Sequence, residues 1–590
     1  MSYVDLPRIH FFGQFYADPS TVDNTLGNFD PSVVLQSTDP TAPGYVSWNP
    51  FGTHKFAFQN CTVQSAVGTD GSAYDTSEGD SIVGAVVEST DANFPAKSPT
   101  CVYYSYPAKM VDLDTDQQMV SQIWGFQVRI TTSSGAEVAG QMSVTSLADI
   151  WQRCPDLMYD AAFCAVYQSV LTNLTWTNVE RSPLLAQLQA VSGTELSIKF
   201  NVDGYDADGT SATFRVGRVS GTIGPAAAGE TKHFLAARRL SNSNAQFGST
   251  PVKVDAARSR LILDLGNTVL TTHAAGQPTF VLGSAYPSLT VAVQQAGAPT
   301  VLKHSMNQKA VSTPNALTGF TTLGVVACSE GQYERTAGIV ELALTAGQLA
   351  LIAQSPLALF VTPQAGVPQQ MVIENQQGLY VNAEDPVFRL YPGDTTQTAQ
   401  TALVATQWGH PKAGLALDVT LVANNPWNNL PAGALLVNGA PLPVSVTTGP
   451  DGRAPIQFTA TDPSPKPPQR QYIDSQIYSV GGPWQNYGQV GLSGCGAGIS
   501  VLVWNTFAAP AAPTWSDVQP LLEYYTRVYP YMKSGLDISD FDTIMQFDPF
   551  QIRYILQYVP EADPHYMPVL RDLSPPKRQM LVAWLQKPVK

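Results

Sequence analysis

Seven histidines are spread through the chain, and two of them, His10 and His54, sit in aromatic stretches, followed by Phe11-Phe12 and by Lys55-Phe56. Imidazole changes charge near neutral pH. On adjacent strands the two would form a ligand pair or an acid–base site, and they are taken as the catalytic candidates. The competing reading is a core histidine with both ring nitrogens bonded. Asp112-x-Asp114-x-Asp116 offers three carboxylates at alternating positions, which suits a hard cation such as calcium. An EF-hand loop would then need glycine at position six and glutamate at twelve, where Gln117 and Ile123 stand. The loop Asp203-Gly204-Tyr205-Asp206-Ala207-Asp208-Gly209 likewise lacks a distal glutamate. Solvated turns are expected at both places, so no metal site is assigned; Asp112, Asp114 and Asp116 are the nearest approach to one.

Other signatures of chemistry are absent. No Gly-Lys dipeptide occurs, which excludes a Walker A loop, and there is no H-E-x-x-H. The cluster Gly491-Leu492-Ser493-Gly494-Cys495-Gly496-Ala497-Gly498 lacks G-x-G-x-x-G spacing and has cysteine where a nucleophile elbow needs glycine. It reads as a structural loop, because glycine tolerates unusual backbone angles. No cofactor is assigned.

These residues must be held by a scaffold, and composition bounds what kind. The 590 residues carry a formal charge of -14, with 32 Lys or Arg against 46 Asp or Glu. Charged residues make up 13% and apolar ones 44%; an ordinary protein has about 25% charged residues. Disorder and coiled coil are thereby excluded. An acidic chain without a basic cluster argues against nucleic acid as a partner. The N-terminus has no basic region leading into an apolar one, and no run of 18 apolar residues occurs, so a soluble cytoplasmic protein with no membrane partner is expected. The six cysteines show no C-x-x-C spacing and read as buried thiols.

Length predicts about three or four domains, and most of the chain reads as strands punctuated by 45 Gly and 45 Pro. Leu6 to Tyr16, His54 to Val67, Ser81 to Glu88, Met119 to Ile130, Leu196 to Val202, Ala212 to Val219 and Arg260 to Leu265 are the clearest strand-like runs. Asp160 to Thr172, apolar nearly all round, and the segment capped by Ser182-Pro183 read as buried helices. From about residue 370 short strands recur at regular spacing: Met371 to Ile373, Gly378 to Val381, Phe388 to Leu390, Thr401 to Thr406, Ala416 to Val422 and Pro455 to Ala460. That texture predicts an immunoglobulin-like β-sandwich. Past the Ala/Pro-rich linker Ala508 to Pro513, apolar residues at spacings of three and four predict a helix over Trp515 to Met532. Two more helices are expected, opening at Asp548-Pro549 and at Ser574-Pro575. The predicted fold is mainly β. A β-rich domain over 1–365, with a subdomain break near 240–250, is followed by a sandwich over 366–510 and a helical domain over 511–590.

Two stretches carry a resemblance. Leu6-Pro7-Arg8-Ile9-His10-Phe11-Phe12-Gly13, His54-Lys55-Phe56 and Gly79-Asp80-Ser81-Ile82-Val83-Gly84-Ala85 resemble the start of the iminophenylpyruvate dimer synthase and chromopyrrolate synthase family. Leu522-Glu523-Tyr524-Tyr525, Val528-Tyr529-Pro530-Tyr531-Met532, Tyr566-Met567-Pro568 and Arg571-Asp572-Leu573-Ser574-Pro575-Pro576-Lys577 resemble the segment just before that family's ferritin-like domain. In that family, iron-linked oxidative coupling of two arylpyruvate imines is associated with the ferritin-like half. The present sequence ends at Lys590, where that half would begin, and its one E-x-x-H, Glu230 to His233, lies far from that end. The resemblance thus implies a stand-alone version of the β-rich half, in secondary metabolism, without the iron ligands.

Two functional expectations follow. The leading one is an enzyme, or an enzyme partner, of natural-product assembly that binds an aromatic or apolar small molecule in an aromatic-lined β pocket. A ferritin-like or flavin enzyme of the same pathway would be its partner. The other is a non-enzymatic carbohydrate- or protein-binding β module protein using aromatic and amide surfaces such as Asn424-Asn425-Pro426-Trp427-Asn428-Asn429. A deep pocket near His10 and His54 favours the first; shallow aromatic patches on the sandwich favour the second.

Overall fold

In the strand Arg8–Asp18, Ile9, Phe11 and Phe15 are all fully buried. In the computed structural model this strand bonds on both sides: antiparallel to Lys55–Val67 and antiparallel to Val216–Pro225. The ladder continues from Val216–Pro225 through Leu196–Asp203, Ala165–Thr177, Glu137–Met142, Gln127–Thr131 and Val86–Thr90 back to Lys55–Val67. Eight antiparallel strands thereby close into a barrel, which leaves the ring no free edge. Rings fill its interior: Phe58 packs against Phe11, Phe126 and Phe200 at centroid distances of 5.5, 4.9 and 5.2 Å. Ala108–Val111 and Gln122–Trp124 extend the sheet outward from the start of Lys55–Val67. The structure describes residues 2–20, 52–90, 108–113, 121–150, 164–206, 211–242, 247–269, 271–272, 279–280, 285–296, 317–364, 366–393, 399–422, 433–464, 474–486, 498–529 and 535–590.

A second sheet of eight antiparallel strands runs from Arg238–Asn242 to Gln369–Glu374 and has its own apolar core. It curls until its two outer strands meet: a Cβ on Gly324 would lie 2.6 Å from Leu342 Cδ1. Barrel and second sheet face each other across a polar seam. Lys199 Nζ of the barrel donates to Asp264 Oδ1 at 3.0 Å, Tyr3 Oη donates to Asp264 Oδ2 at 2.7 Å, and Arg8 bridges to Glu341 at 2.7 Å.

A sandwich follows. Leu379–Ala383, Ala399–Gln407, Arg453–Ala460 and Leu435–Val437 form one layer; Val387–Leu390, Ile499–Trp504, Ser475–Gly481, Ala416–Leu421 and Val444–Thr447 form the other. Both layers contribute to one core. Val387–Leu390 runs parallel to Ile499–Trp504. The chain ends in helices Trp515–Val528, Phe541–Phe547, Pro549–Tyr558 and Pro575–Gln586. Their apolar faces cover Val111 and Trp124 of the barrel's extension. Among the described residues no helix is long and apolar enough to cross a membrane.

The protein is thus mainly β, with an immunoglobulin-like sandwich and a helical C-terminal part, as the sequence predicts. Two segments depart from expectation. The run read as a helix over Asp160 to Thr172 is, over its described part, the strand Ala165–Thr177. A short run apolar on all sides is ambiguous in periodicity, and the barrel supplies pairing partners on both of its edges. Met371 to Ile373, grouped with the sandwich by its spacing, lies in Gln369–Glu374 and pairs with Arg238–Asn242 and Leu357–Thr362 of the second sheet. The helix opened by Ser182-Pro183 forms as Pro183–Val191. Asp80 holds its first turn, accepting from Ser182 Oγ and Leu184 N at 2.7 Å each.

Candidate functional site

His10 stands beside Thr222 in the barrel wall and is 2% exposed. Arg8 Nε donates to its Nε2 at 3.3 Å, so the ring proton lies on Nδ1, which donates to Thr222 Oγ1 at 3.0 Å. Both nitrogens are therefore bonded. Burial, then the Arg8 charge, holds the imidazolium form off to well below the usual histidine range.

His54 lies at the far end of the same strand pair, its amide bonded to the carbonyl of Asp18 at 2.7 Å. Eight residues of strand separate His10 from Asp18, about 26 Å at ~3.3 Å per residue. His10 lies in Arg8–Asp18 and His54 just before the neighbouring strand Lys55–Val67, at the opposite end of the pair, so they form no ligand pair. Antiparallel pairing and the length of Arg8–Asp18 keep them apart.

His54 has φ of 57°, the left-handed region that few non-glycine residues adopt. This turns its ring toward the C-terminal helices, edge-on to Tyr529 with centroids 5.6 Å apart. Nδ1 donates to Met110 O at 3.2 Å, while Nε2 is buried with no partner among the described residues. Burial, then the Lys109 charge, brings its pKa down to about 4.

Around His54 gather residues that spacing could not have put together. Lys55, Lys109 and Trp124 face one another directly across three neighbouring strands. Arg571 Cζ lies 4.7 Å and Arg389 Cζ 5.7 Å from the Trp124 ring centroid. Lys109 Nζ donates to Thr53 O at 2.7 Å; burial, then Lys55, brings its pKa down to about 8. Arg571, 2% exposed, spends its guanidinium on the main-chain oxygens of Glu561, Asp563 and Val569. Burial, then Arg389, lowers its pKa to about 9. No sequence signal marks Lys109, Trp124 or Arg389; Arg571 lies in a stretch quoted above for its family resemblance.

The described acidic candidates are each engaged by neighbouring side chains. Asp112 Oδ1 accepts from Ser121 Oγ at 2.8 Å, and Asp114 and Asp116 lie outside the described residues. Asp203 is ion-paired with Arg218 at 2.6 Å, and Asp206 accepts from Thr213 Oγ1 at 2.7 Å. Among the described residues no three His, Cys, Asp or Glu side chains gather closely enough to hold a metal. Cys61, Cys164 and Cys328 are buried, with burial pushing the Cys61 thiol up to about 12. Cys101, Cys154, Cys495, the glycine cluster up to Ala497 and Asn424 to Asn429 lie outside the described residues.

A cleft of about 360 Å³ opens where the barrel, the second sheet and the sandwich meet. Phe234, Leu235 and Val252 line it from one side, and Val404, Trp408 and Arg453 from the other. Trp408 and Gly409 both have positive φ, 54° and 85°, in the two-residue turn that joins Gln407 to His410. This mirror-image turn matches the twist of a hairpin and projects the indole at the cleft. Thr406 Oγ1 donates to Ala237 O at 2.7 Å and Arg453 bridges Glu384 and Gly229 O at 2.7 and 2.9 Å, which fixes the walls. A hollow of about 170 Å³ adjoins it, lined by Ser2, Glu195, Glu230, Lys232 and Glu384 among others. Neither space is lined by His10 or His54.

No protein-family model matches this chain, and no curated protein matches it. A solved structure of a tetra-tandem repeat from the extending region of a large adhesion protein aligns with 10% identity and a TM-score of 0.12. The alignment covers 75% of this chain and 86% of that one. At that score the likeness carries no argument about function.

Proposed function

We propose that this protein is a stand-alone relative of the β-rich half of the iminophenylpyruvate dimer synthase and chromopyrrolate synthase family. It acts in the cytoplasm in secondary-metabolite assembly, as an enzyme or the partner of a ferritin-like or flavin enzyme. Its ligand is an aromatic or apolar small molecule. The observation that carries this reading is the three-way cleft, lined by Phe234 and Trp408 together with Arg453 and Lys253, which are ion-paired with Glu384 and Asp5. Such a mixture, mostly apolar with a few polar groups, is what fixes the orientation of a small ligand.

Calorimetric titration with phenylpyruvate and indole-3-pyruvate tests it. Saturable binding is expected, weakened at least about tenfold in Trp408→Ala, or ~1.4 kcal/mol. Absence of binding up to about 1 mM of either acid, or equal affinity in a folded Trp408→Ala protein, overturns the reading.

One observation favours the non-enzymatic alternative, a carbohydrate- or protein-binding module. Phe550, Tyr554 and Tyr558 form an exposed row on one helix, 54%, 51% and 58% exposed.

A further inference from the structure

Lys55, exposed, and Lys109, half-buried, lie with buried Arg571 beside the C-terminal helices. Lys55 and Lys109 are direct cross-strand neighbours, an arrangement that costs free energy unless something negative lies near. Neither forms an ion pair among the described residues, and Arg571 forms none either. Asp18, the carboxylate that acts on Lys109, is engaged by Arg215 at 3.1 Å and accepts from Thr53 Oγ1 at 2.5 Å, while Glu561 and Asp563 are the carboxylates that act on Arg571. Buried charge is normally paired because stripping it of water is expensive. Here the positive groups come from three parts of the molecule: Lys109 from the barrel's extension, Arg389 from the sandwich and Arg571 from the helical part.

The second, independent observation concerns a neutral donor. Trp124 sits at the centre of this group, opposite Lys109 and next to both guanidinium groups. Its indole N–H is buried and has no partner among the described residues. A buried N–H without an acceptor costs about 1–3 kcal/mol. Lys109, with one hydrogen on Thr53 O, keeps two N–H donors to offer. Every unspent group of the cluster other than the His54 Nε2 lone pair is thus a donor or a cation. An acceptor with negative charge satisfies them together, and a metal ion satisfies none of them.

We propose that Lys109 and Trp124, backed by Arg571 and Arg389, form a binding site for a phosphate-type oxyanion. The site is separate from the three-way cleft and does not rest on the function proposed for it. The anion takes hydrogen bonds from Lys109 Nζ and Trp124 Nε1 and offsets the positive charge of Lys109, its neighbour Lys55 and Arg571. It joins barrel, sandwich and helical part through one ligand, so binding stabilises the whole protein.

The test uses the full chain at low ionic strength, with inorganic phosphate and phenyl phosphate as probes and chloride at matched ionic strength as the control. Phosphate is expected to raise the melting temperature and to give a saturable calorimetric isotherm that chloride does not reproduce. Lys109→Met and Trp124→Phe keep the bulk of each side chain while removing the donors, and each is expected to lose affinity at least tenfold. Lys587→Met, an exposed lysine elsewhere, should keep it. Lys109→Met should also melt higher than the parent protein in phosphate-free buffer, since it removes a half-buried charge set directly against Lys55; a merely structural lysine would do the reverse. Equal affinity for both probes identifies the free ion as ligand; tighter binding of phenyl phosphate identifies an organic phosphate lying on the aromatic groups. No binding of either probe up to about 10 mM, or unchanged affinity in Lys109→Met and Trp124→Phe, overturns the proposal.

Discussion

His54 combines a left-handed backbone, a buried ring and an Nε2 with no partner among the described residues. The folded protein holds the ring neutral down to about pH 4. An unfolded histidine takes up its proton near pH 6.5. Between those values the unfolded chain binds a proton that the folded chain refuses, so stability falls as pH drops from about 6.5 to 4. Above 6.5 neither state is protonated and the effect vanishes. His54→Phe should flatten part of this acid limb, by an amount of order 2 kcal/mol, read from urea midpoints at pH 7 and pH 4.5. His10, also held neutral, supplies a second limb that remains in the variant. A His54→Phe protein with the same acid dependence as its parent would contradict the buried, neutral state of the ring.

At the scale of elements, the barrel closes because glycines make room for aromatic rings. Phe11 pairs with Gly221 and Phe15 with Gly217 across the same two strands. A Cβ at Gly221 would meet Phe11 Cζ at 2.3 Å and the carbonyl oxygen of Lys199 at 2.9 Å. Phe11 is fully buried among other rings and the oxygen belongs to the neighbouring strand, so neither yields cheaply. Gly221→Ala is expected to cost about 2–3 kcal/mol through overpacking, measured as a lowered urea midpoint with the barrel's circular dichroism retained. An unchanged midpoint would mean that the barrel interior is looser than these distances imply.

For the whole molecule, the contact between barrel and second sheet rests on polar groups. Asp264 accepts from Lys199, Tyr3 and the amide of Gly266 at 3.0, 2.7 and 2.9 Å. Asp264→Asn takes the carboxylate from a buried lysine, at a cost of about 3–5 kcal/mol. Adding Lys199→Met should restore part of that loss, because the buried charge goes with it. The check is a double-mutant cycle on thermal unfolding; additive losses would show that the pair is uncoupled.

Much of this architecture was legible in the residues themselves. Strand periodicity in Leu196 to Val202, the proline-opened helix at Ser182-Pro183 and the regular short strands after Gly378 depend on neighbours a few positions away, which a linear reading captures. Ala165–Thr177 was misread because its buried first half, Ala165 to Leu171, lacks the apolar–polar alternation in sequence that tells strand from helix. Barrel closure, the distance between His10 and His54, and the meeting of Lys109 and Trp124 with Arg389 and Arg571 were invisible. Those depend on which strands pair and which bodies pack, and pairing partners far apart along the chain leave no local pattern. The residues alone determined which segments could bury an apolar face; only the folded chain decided which charges and rings those segments carry to one place.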